Sequence, residues 1–279
     1  MAKRPIRIAH SPDSDDAFMF YALATQKLTS DKYEFIVERR DIQELNLAAF
    51  DEIYDITAIS IHAYAHLADK YALTASGTSM AEKDYGPMLV AKSAIPTTAL
   101  KHKRIAVPGA HTTAFLMLKL LEPGITPVFM HFEKILPAVL NGEVDAGLLI
   151  HEGQLQYAQL GLTKIIGLNE VWRSISPTLP LPLGGNAVKR SLGLELMTEL
   201  SQWQKRSIDY AVEHFADARD YAMQFKRDLT TAEADKYLGW YANERTLDMG
   251  AEGRAAIQLL FETAKLRGVL DRVPDIQVI

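Results

Sequence analysis

Up to about residue 190, short apolar runs of strand character alternate with stretches whose apolar residues recur at helical spacing. Arg7-Ile8-Ala9 opens as a strand, and DDAFMFYALATQKL follows as a helix. YEFIVER alternates, which puts Tyr33, Phe35 and Val37 on one face of a strand. IQELNLAAF is helical, DITAIS and IHAYAHLADKY read as strand then helix, and YALTAS and PMLVAK read as strands. Farther on, KRIAVPG, PVFMHF, DAGLLI and TKIIGL are strands, separated by helical TTAFLMLKLL, EKILPAVLNG and HEGQLQYAQLG. This order predicts parallel sheets with helices on their faces. Beyond about residue 190 only helical spacing remains, in SLGLELMTELSQWQKRSIDYAVEHF, ADARDYAMQF, TTAEADKYLGWYANERT and GAEGRAAIQLLFETAKLRG.

Strands and helices followed by a helical tail fit a chain that crosses to a second lobe and returns. AKSAIPTTALKHKR, near 93–103, is the expected outward crossing. The Pro- and Gly-rich SPTLPLPLGGNAVKR, near 176–186, is the expected return. An α/β chain of this kind divides into one lobe of residues 1–92 plus 185–279, carrying the C-terminal helices, and a second of residues 95–180. No fixed repeat period and no low-complexity segment points to another architecture.

Composition narrows the chemistry. With 279 residues, 48% hydrophobic and 23% charged, the chain is long enough for one large or two modest cores. It has no cysteine, which excludes disulfides, thiolate nucleophiles and cysteine-ligated metals. A net charge of -5 with no basic block gives no electrostatic footprint for nucleic acid. The opening MAKRPIRIAHSPDSDD lacks the apolar region of a signal peptide. No apolar stretch approaches the roughly 20 residues that span a bilayer. The expectation is a cytoplasmic protein that engages neither membrane nor nucleic acid.

In sheets of this kind, ligands bind beyond the carboxyl ends of the strands, where loops turn into helices. The residues just past the predicted strands are polar. They are His10-Ser11-Pro12-Asp13-Ser14-Asp15-Asp16, then Ser60, then Pro108-Gly109-Ala110-His111-Thr112-Thr113, then His151-Glu152. Two such stops per lobe would face each other across a cleft. Helix capping explains part of this, since Ser, Thr and Asp satisfy orphan backbone N–H groups. The first turn, however, carries more polar residues than capping uses. At Thr112-Thr113, N–H groups and two hydroxyls suit a carboxylate or phosphate. No GxxxxGK[ST], GxGxxG or GxSxG pattern is present, so nucleotide binding and a serine elbow are not expected.

Among the histidines, His62 and His66 have an i, i+4 spacing compatible with a metal, but no HExxH accompanies them and their helix reads as packing. His102 lies in a Lys-rich run, and His131 and His214 stand among unremarkable neighbours. His151 ends the buried run AGLLI at the start of the next helix, on the cleft side. A structural role competes with a chemical one there. A helix N-terminus disfavours the imidazolium, so a neutral ring able to accept a proton is expected. Glu152 either orients that ring or caps the helix.

SPDSDDAFMFYAL, VPGAHTTAFLMLKL, ILPAVLNGEVDAGLLIHEGQLQYAQLGL and LPLPLGG together resemble the 1,4-dihydroxy-6-naphthoate synthase family, enzymes of the futalosine route to menaquinone. The matching motifs span residues 11 to 185, with weaker likeness in the helical tail. The resemblance implies a two-lobed type II periplasmic-binding-protein-like fold with a cleft between lobes. It also implies a lyase that converts cyclic dehypoxanthinyl futalosine to 1,4-dihydroxy-6-naphthoate with no metal or organic cofactor. It places the proton acceptor on His151 and substrate contacts on Ser60, Thr112 and Thr113. Ser11 and Asp16 of the first turn complete the candidate substrate-binding set, for a small-molecule carboxylate. Ser14 and Asp15 stand where the family often has Pro and Asn, and Ala58 where relatives can carry Lys. An extra carboxylate and a missing cation would both disfavour an anionic substrate. The rival readings are a chorismate dehydratase-like sister enzyme and a non-catalytic solute-binding protein.

Overall fold

The computed structural model describes residues 2–82, 85–225 and 229–279. Ile6, Ile8, Ile56 and Ile59 are wholly buried. The strands that carry them, β1 (Arg4–His10) and β3 (Ile56–Ser60), run parallel at the centre of a first sheet. Its order is β2 (Tyr33–Arg39), β1, β3, β11 (Leu181–Lys189) and β4 (Tyr71–Leu73), with β5 (Ser79–Ala81) also paired to β11. The second sheet runs β10 (Thr163–Gly167), β6 (Met88–Ala91), β9 (Ala146–Leu149), β7 (Arg104–Val107) and β8 (Thr126–Phe129). The helices among the described residues are α1 (Ser14–Ala24), α2 (Ile42–Phe50), α3 (Ile61–Leu67), α4 (Thr113–Leu121), α5 (Phe132–Asn141), α6 (Gly153–Gln156) and α7 (Leu168–Ile175). The C-terminal set follows as α8 (Leu194–Glu213), α9 (Phe215–Met223), α10 (Thr231–Tyr241), α11 (Glu244–Leu247) and α12 (Gly250–Leu266). None of them is long and apolar enough to cross a membrane.

Three expectations need correction. Both sheets are mixed rather than parallel: β11 is antiparallel to β3, β4 and β5, and β6 is antiparallel to β9 and β10. A parallel neighbour needs a crossover connection; β6 and β11 are instead the strands by which the chain changes sheet, and each enters from the opposite end. Second, β6 belongs to the second sheet, so residues 93–103 link two strands of that sheet through a short 3-10 helix at Thr97–His102. MLVA is buried on both faces, and such a run carries no alternation to say which sheet it joins. Third, the Pro- and Gly-rich return is itself the nine-residue strand β11. Pro182 is tolerated because pairing to β3 starts only at Gly184, and the β5 register shifts between Pro182 and Gly184.

Gly147 of β9 sits under α5. A Cβ there would lie 2.6 Å from Ile135 Cγ2 and 2.7 Å from Val139 Cγ2, both buried side chains. Gly147→Ala is therefore expected to destabilise the fold by about 1–3 kcal/mol, the scale of overpacking a filled core. Urea unfolding checks this: the midpoint should fall at constant m-value.

Candidate active site

β1 ends in a turn whose hydrogen bonds are local and buried. His10 stacks on Phe20 with ring centroids 5.0 Å apart, and its Nδ1 lies 2.6 Å from the Ser11 carbonyl. Burial lowers the His10 pKa to about 4, so the ring is neutral and donates to that carbonyl. Ser11 Oγ donates to Asp13 Oδ2 at 2.6 Å, and the Ser11 N–H donates to Asp16 Oδ2 at 2.9 Å. Asp13 occupies the N-cap position of α1 yet makes no side-chain capping bond. Its carboxylate is turned to the cleft instead.

There it meets His151. Asp13 Oδ2 is 2.9 Å from His151 Nδ1, with 5% of the Asp13 side chain and 12% of the His151 side chain exposed. Phe132 packs edge-on to the imidazole at 4.5 Å between centroids. A carboxylate at Nδ1 holds the proton on that nitrogen, presents the Nε2 lone pair, and stabilises an imidazolium when one forms. The orienting partner of His151 is thus an aspartate from the opposite lobe. The helix after it is a single turn, too short to act as the dipole expected there. Glu152 has a further partner across the cleft: its Oε1 accepts from the Ser14 N–H at 3.2 Å and from Ser14 Oγ at 2.8 Å.

Ser60, at the end of β3, is fixed by Asn46 of α2, which is wholly buried. The Ser60 N–H donates to Asn46 Oδ1 at 2.9 Å, and Asn46 Nδ2 donates to Ser60 Oγ at 3.0 Å. At the start of α4, both threonine hydroxyls are committed within the protein. Thr112 Oγ1 accepts from the Phe115 N–H and donates to the Gly109 carbonyl. Thr113 Oγ1 donates to the Leu183 carbonyl at 2.6 Å and accepts from the His62 N–H at 3.0 Å. The hydroxyls also build the turn, and the first N–H groups of α4, on Thr113 and Ala114, carry no intrahelical bond. His62 is buried, its pKa lowered to about 4, and its Nδ1 lies 3.2 Å from the Thr112 carbonyl. It supports this turn by packing.

These groups surround one cavity between the sheets. Ser11, Asp16, Ser60, Thr112, Thr113 and His151 all line it, so sequence positions as distant as 11 and 151 are brought together. Asp13 and Asp15 of the first turn line it too, as do Ser79, Tyr237 and Tyr241, which were not singled out in the sequence. The two tyrosines come from α10 in the helical tail, whose sequence pattern shows only a buried face. Tyr241 Oη lies 3.4 Å from Gln154 Oε1, and burial raises both phenols above their ordinary range, so both stay protonated. Ala58 lines the wall, and no lysine or arginine does among the described residues. Burial and mutual repulsion raise Asp15 and Asp16 above the carboxylate range, Asp15 to about 8. Raised in this way, Asp15 repels an anion less than its sequence position implied.

Two α/β sheets closing on one cavity define the class, a two-lobed type II periplasmic-binding-protein-like fold. The alkanesulfonate-binding protein of Xanthomonas axonopodis pv. citri, solved with MOPS bound, shares that fold at a TM-score of 0.73 and 14% identity, with 100% of both chains covered. The family is more particular. Residues 6–266 match the family model for menaquinone biosynthesis, and the chain belongs to that family. A Thermus thermophilus protein named 1,4-dihydroxy-6-naphthoate synthase is 37% identical over 265 residues, 95% of each chain. A crystal structure of an Archaeoglobus fulgidus protein aligns at TM-score 0.89 and 45% identity, over 95% of this chain and 98% of that one.

Proposed function

We propose that this chain is an enzyme of menaquinone biosynthesis, a carbon–carbon lyase that converts cyclic dehypoxanthinyl futalosine to 1,4-dihydroxy-6-naphthoate. The observation that carries the reading is the Asp13–His151 pair, closed to 2.9 Å at one wall of a small-molecule cavity. The substrate carboxylate sits at the N-terminus of α4, where the free N–H groups and helix dipole favour an anion. His151 Nε2 takes the proton from a carbon beside a substrate carbonyl. The electron pair so released breaks the bond to the sugar-derived fragment, the ring becomes aromatic, and the proton returns to the departing fragment. Asp13 compensates the charge on His151 while the ring holds that proton. Ser60, held by Asn46, and Ser11 and Asp16 of the first turn shape the remaining wall.

A solute-binding protein of this fold needs charge complementarity but no oriented general base, and the buried Asp13–His151 pair favours catalysis. Incubating the purified protein with cyclic dehypoxanthinyl futalosine should yield 1,4-dihydroxy-6-naphthoate, detected by mass spectrometry. Absence of that product from active-site-intact protein retires the assignment, and dehydration of chorismate in a parallel incubation would move it to the sister enzyme.

A further inference from the structure

Three carboxylates, Asp13, Asp15 and Asp16, fall within the turn before α1 and its first residues, and they are 4%, 7% and 9% exposed. Two of them have committed partners. Asp13 faces His151 and takes the Ser11 hydroxyl, and Asp16 takes the Ser11 N–H. Asp15 is different. Its Oδ2 meets one neutral hydroxyl, Ser79 Oγ of β5, at 2.7 Å, and its Oδ1 has no hydrogen-bond partner among the described residues. The side chain nevertheless lines the cavity.

We propose that Asp15 stands in the closed cleft as a neutral acid and donates its proton in a hydrogen bond to an oxygen of the bound substrate, making it a specificity-determining residue. This rests on the reading of the cavity as the substrate site. With Oδ2 satisfied by Ser79, the acid proton sits on Oδ1 and points at the ligand space. An ionised Asp15 would present a bare charge there, beside two other carboxylates and with no described lysine or arginine on the wall. The surroundings favour the neutral form. Burial first, then Asp16 and Asp13, push Asp15 up to about 8, against smaller opposing effects of Ser79 and His151. The remaining ionisable groups near it are Tyr237 and Tyr241 of α10, both protonated, with Glu152 beside them. α8 and α9 meet α1 through Ser207 on the Met19 carbonyl and through Tyr210 and Tyr221 on Tyr21.

Two variants and two measurements test this. In wild type, KM should rise on the alkaline side as Asp15 ionises, approaching tenfold per pH unit beyond about 8. Asp15→Ala should raise KM about tenfold at neutral pH, the scale of one lost buried hydrogen bond. Asp15→Asn should recover most of that loss, because its amide donates, and should abolish the alkaline rise. Unfolding gives a readout independent of turnover. The folded pKa lies above the unfolded one, so wild-type stability should fall as pH rises from the ordinary carboxylate range to about 8, and Asp15→Asn should lose that slope. Equal slopes in the two proteins, an alkaline KM rise that persists in Asp15→Asn, or wild-type KM in Asp15→Ala each overturns the role of Asp15 alone. A wild type that forms no product overturns the functional reading and the donor role with it.

Discussion

His151→Ala should lower kcat by about 10²–10⁴-fold, the range a positioned general base contributes, while KM for the proposed substrate changes little. The imidazole stands at one wall of the cavity, whereas the proposed carboxylate anchor at α4 lies on a different element, so on that reading separate groups carry binding and proton transfer. A fall in kcat without a matching rise in KM is the signature of an interaction made in the transition state. The circular dichroism of the variant should stay near wild type, because the side chain lies outside the five hydrophobic clusters, while its unfolding midpoint should fall as the buried Asp13 carboxylate loses the imidazole. Near-wild-type kcat in a folded His151→Ala protein would remove this histidine from the chemistry.

Asp13→Asn should lower kcat by about 10²-fold or more through loss of the charge that orients and stabilises His151. The amide keeps the volume, and Ser11 Oγ, now 2.6 Å from Oδ2, can donate to an amide oxygen or accept from an amide NH₂ there, so the turn should survive. Two effects follow from the lost charge. The amide can no longer favour an imidazolium, and an amide turned with its NH₂ group to Nδ1 selects the other tautomer, which protonates the nitrogen meant to act as base. The pH–rate profile is therefore diagnostic. If Asp13 supports the base, its acidic limb should move to lower pH in Asp13→Asn, since the imidazolium loses its partner. An unshifted limb with unchanged kcat would make the 2.9 Å contact structural only. Combining both substitutions should add little to His151→Ala alone, since residues acting as a unit are not additive.

Much of the architecture was legible along the chain because its strands are short and apolar and its helices keep a regular face. IQELNLAAF, for example, coincides with α2 at both ends. The cavity-facing character of Ser60, Thr112, Thr113 and His151 was legible for a related reason: each follows a buried strand, and a polar residue there lies at the sheet's carboxyl edge. Misreadings came where local pattern is silent. The Pro and Gly of LPLPLGG signal a linker to any reader of local propensity, yet tertiary pairing makes the segment the strand between β3 and β4. Asp13 looked like a cap because capping is a local property, and its partner His151 is 138 residues away. Asn46, Ser79, Tyr237 and Tyr241 gave no signal at all, since each reads as an ordinary helix or strand residue until the lobes close around it.

By itself, then, the sequence determined the alternation of strands and helices, the helical tail, and which strand ends carry polar groups. Those follow from periodicity and turn chemistry, which act within a few residues. Only the tertiary structure decided which sheet each strand joins, that Asp13 rather than Glu152 stands at Nδ1 of His151, that both threonine hydroxyls are hydrogen-bonded within the protein, and that burial raises the Asp15 pKa. Hydrogen-bond partners and pKa values depend on burial and on charges brought near through space. Neither exists until distant segments share one cavity.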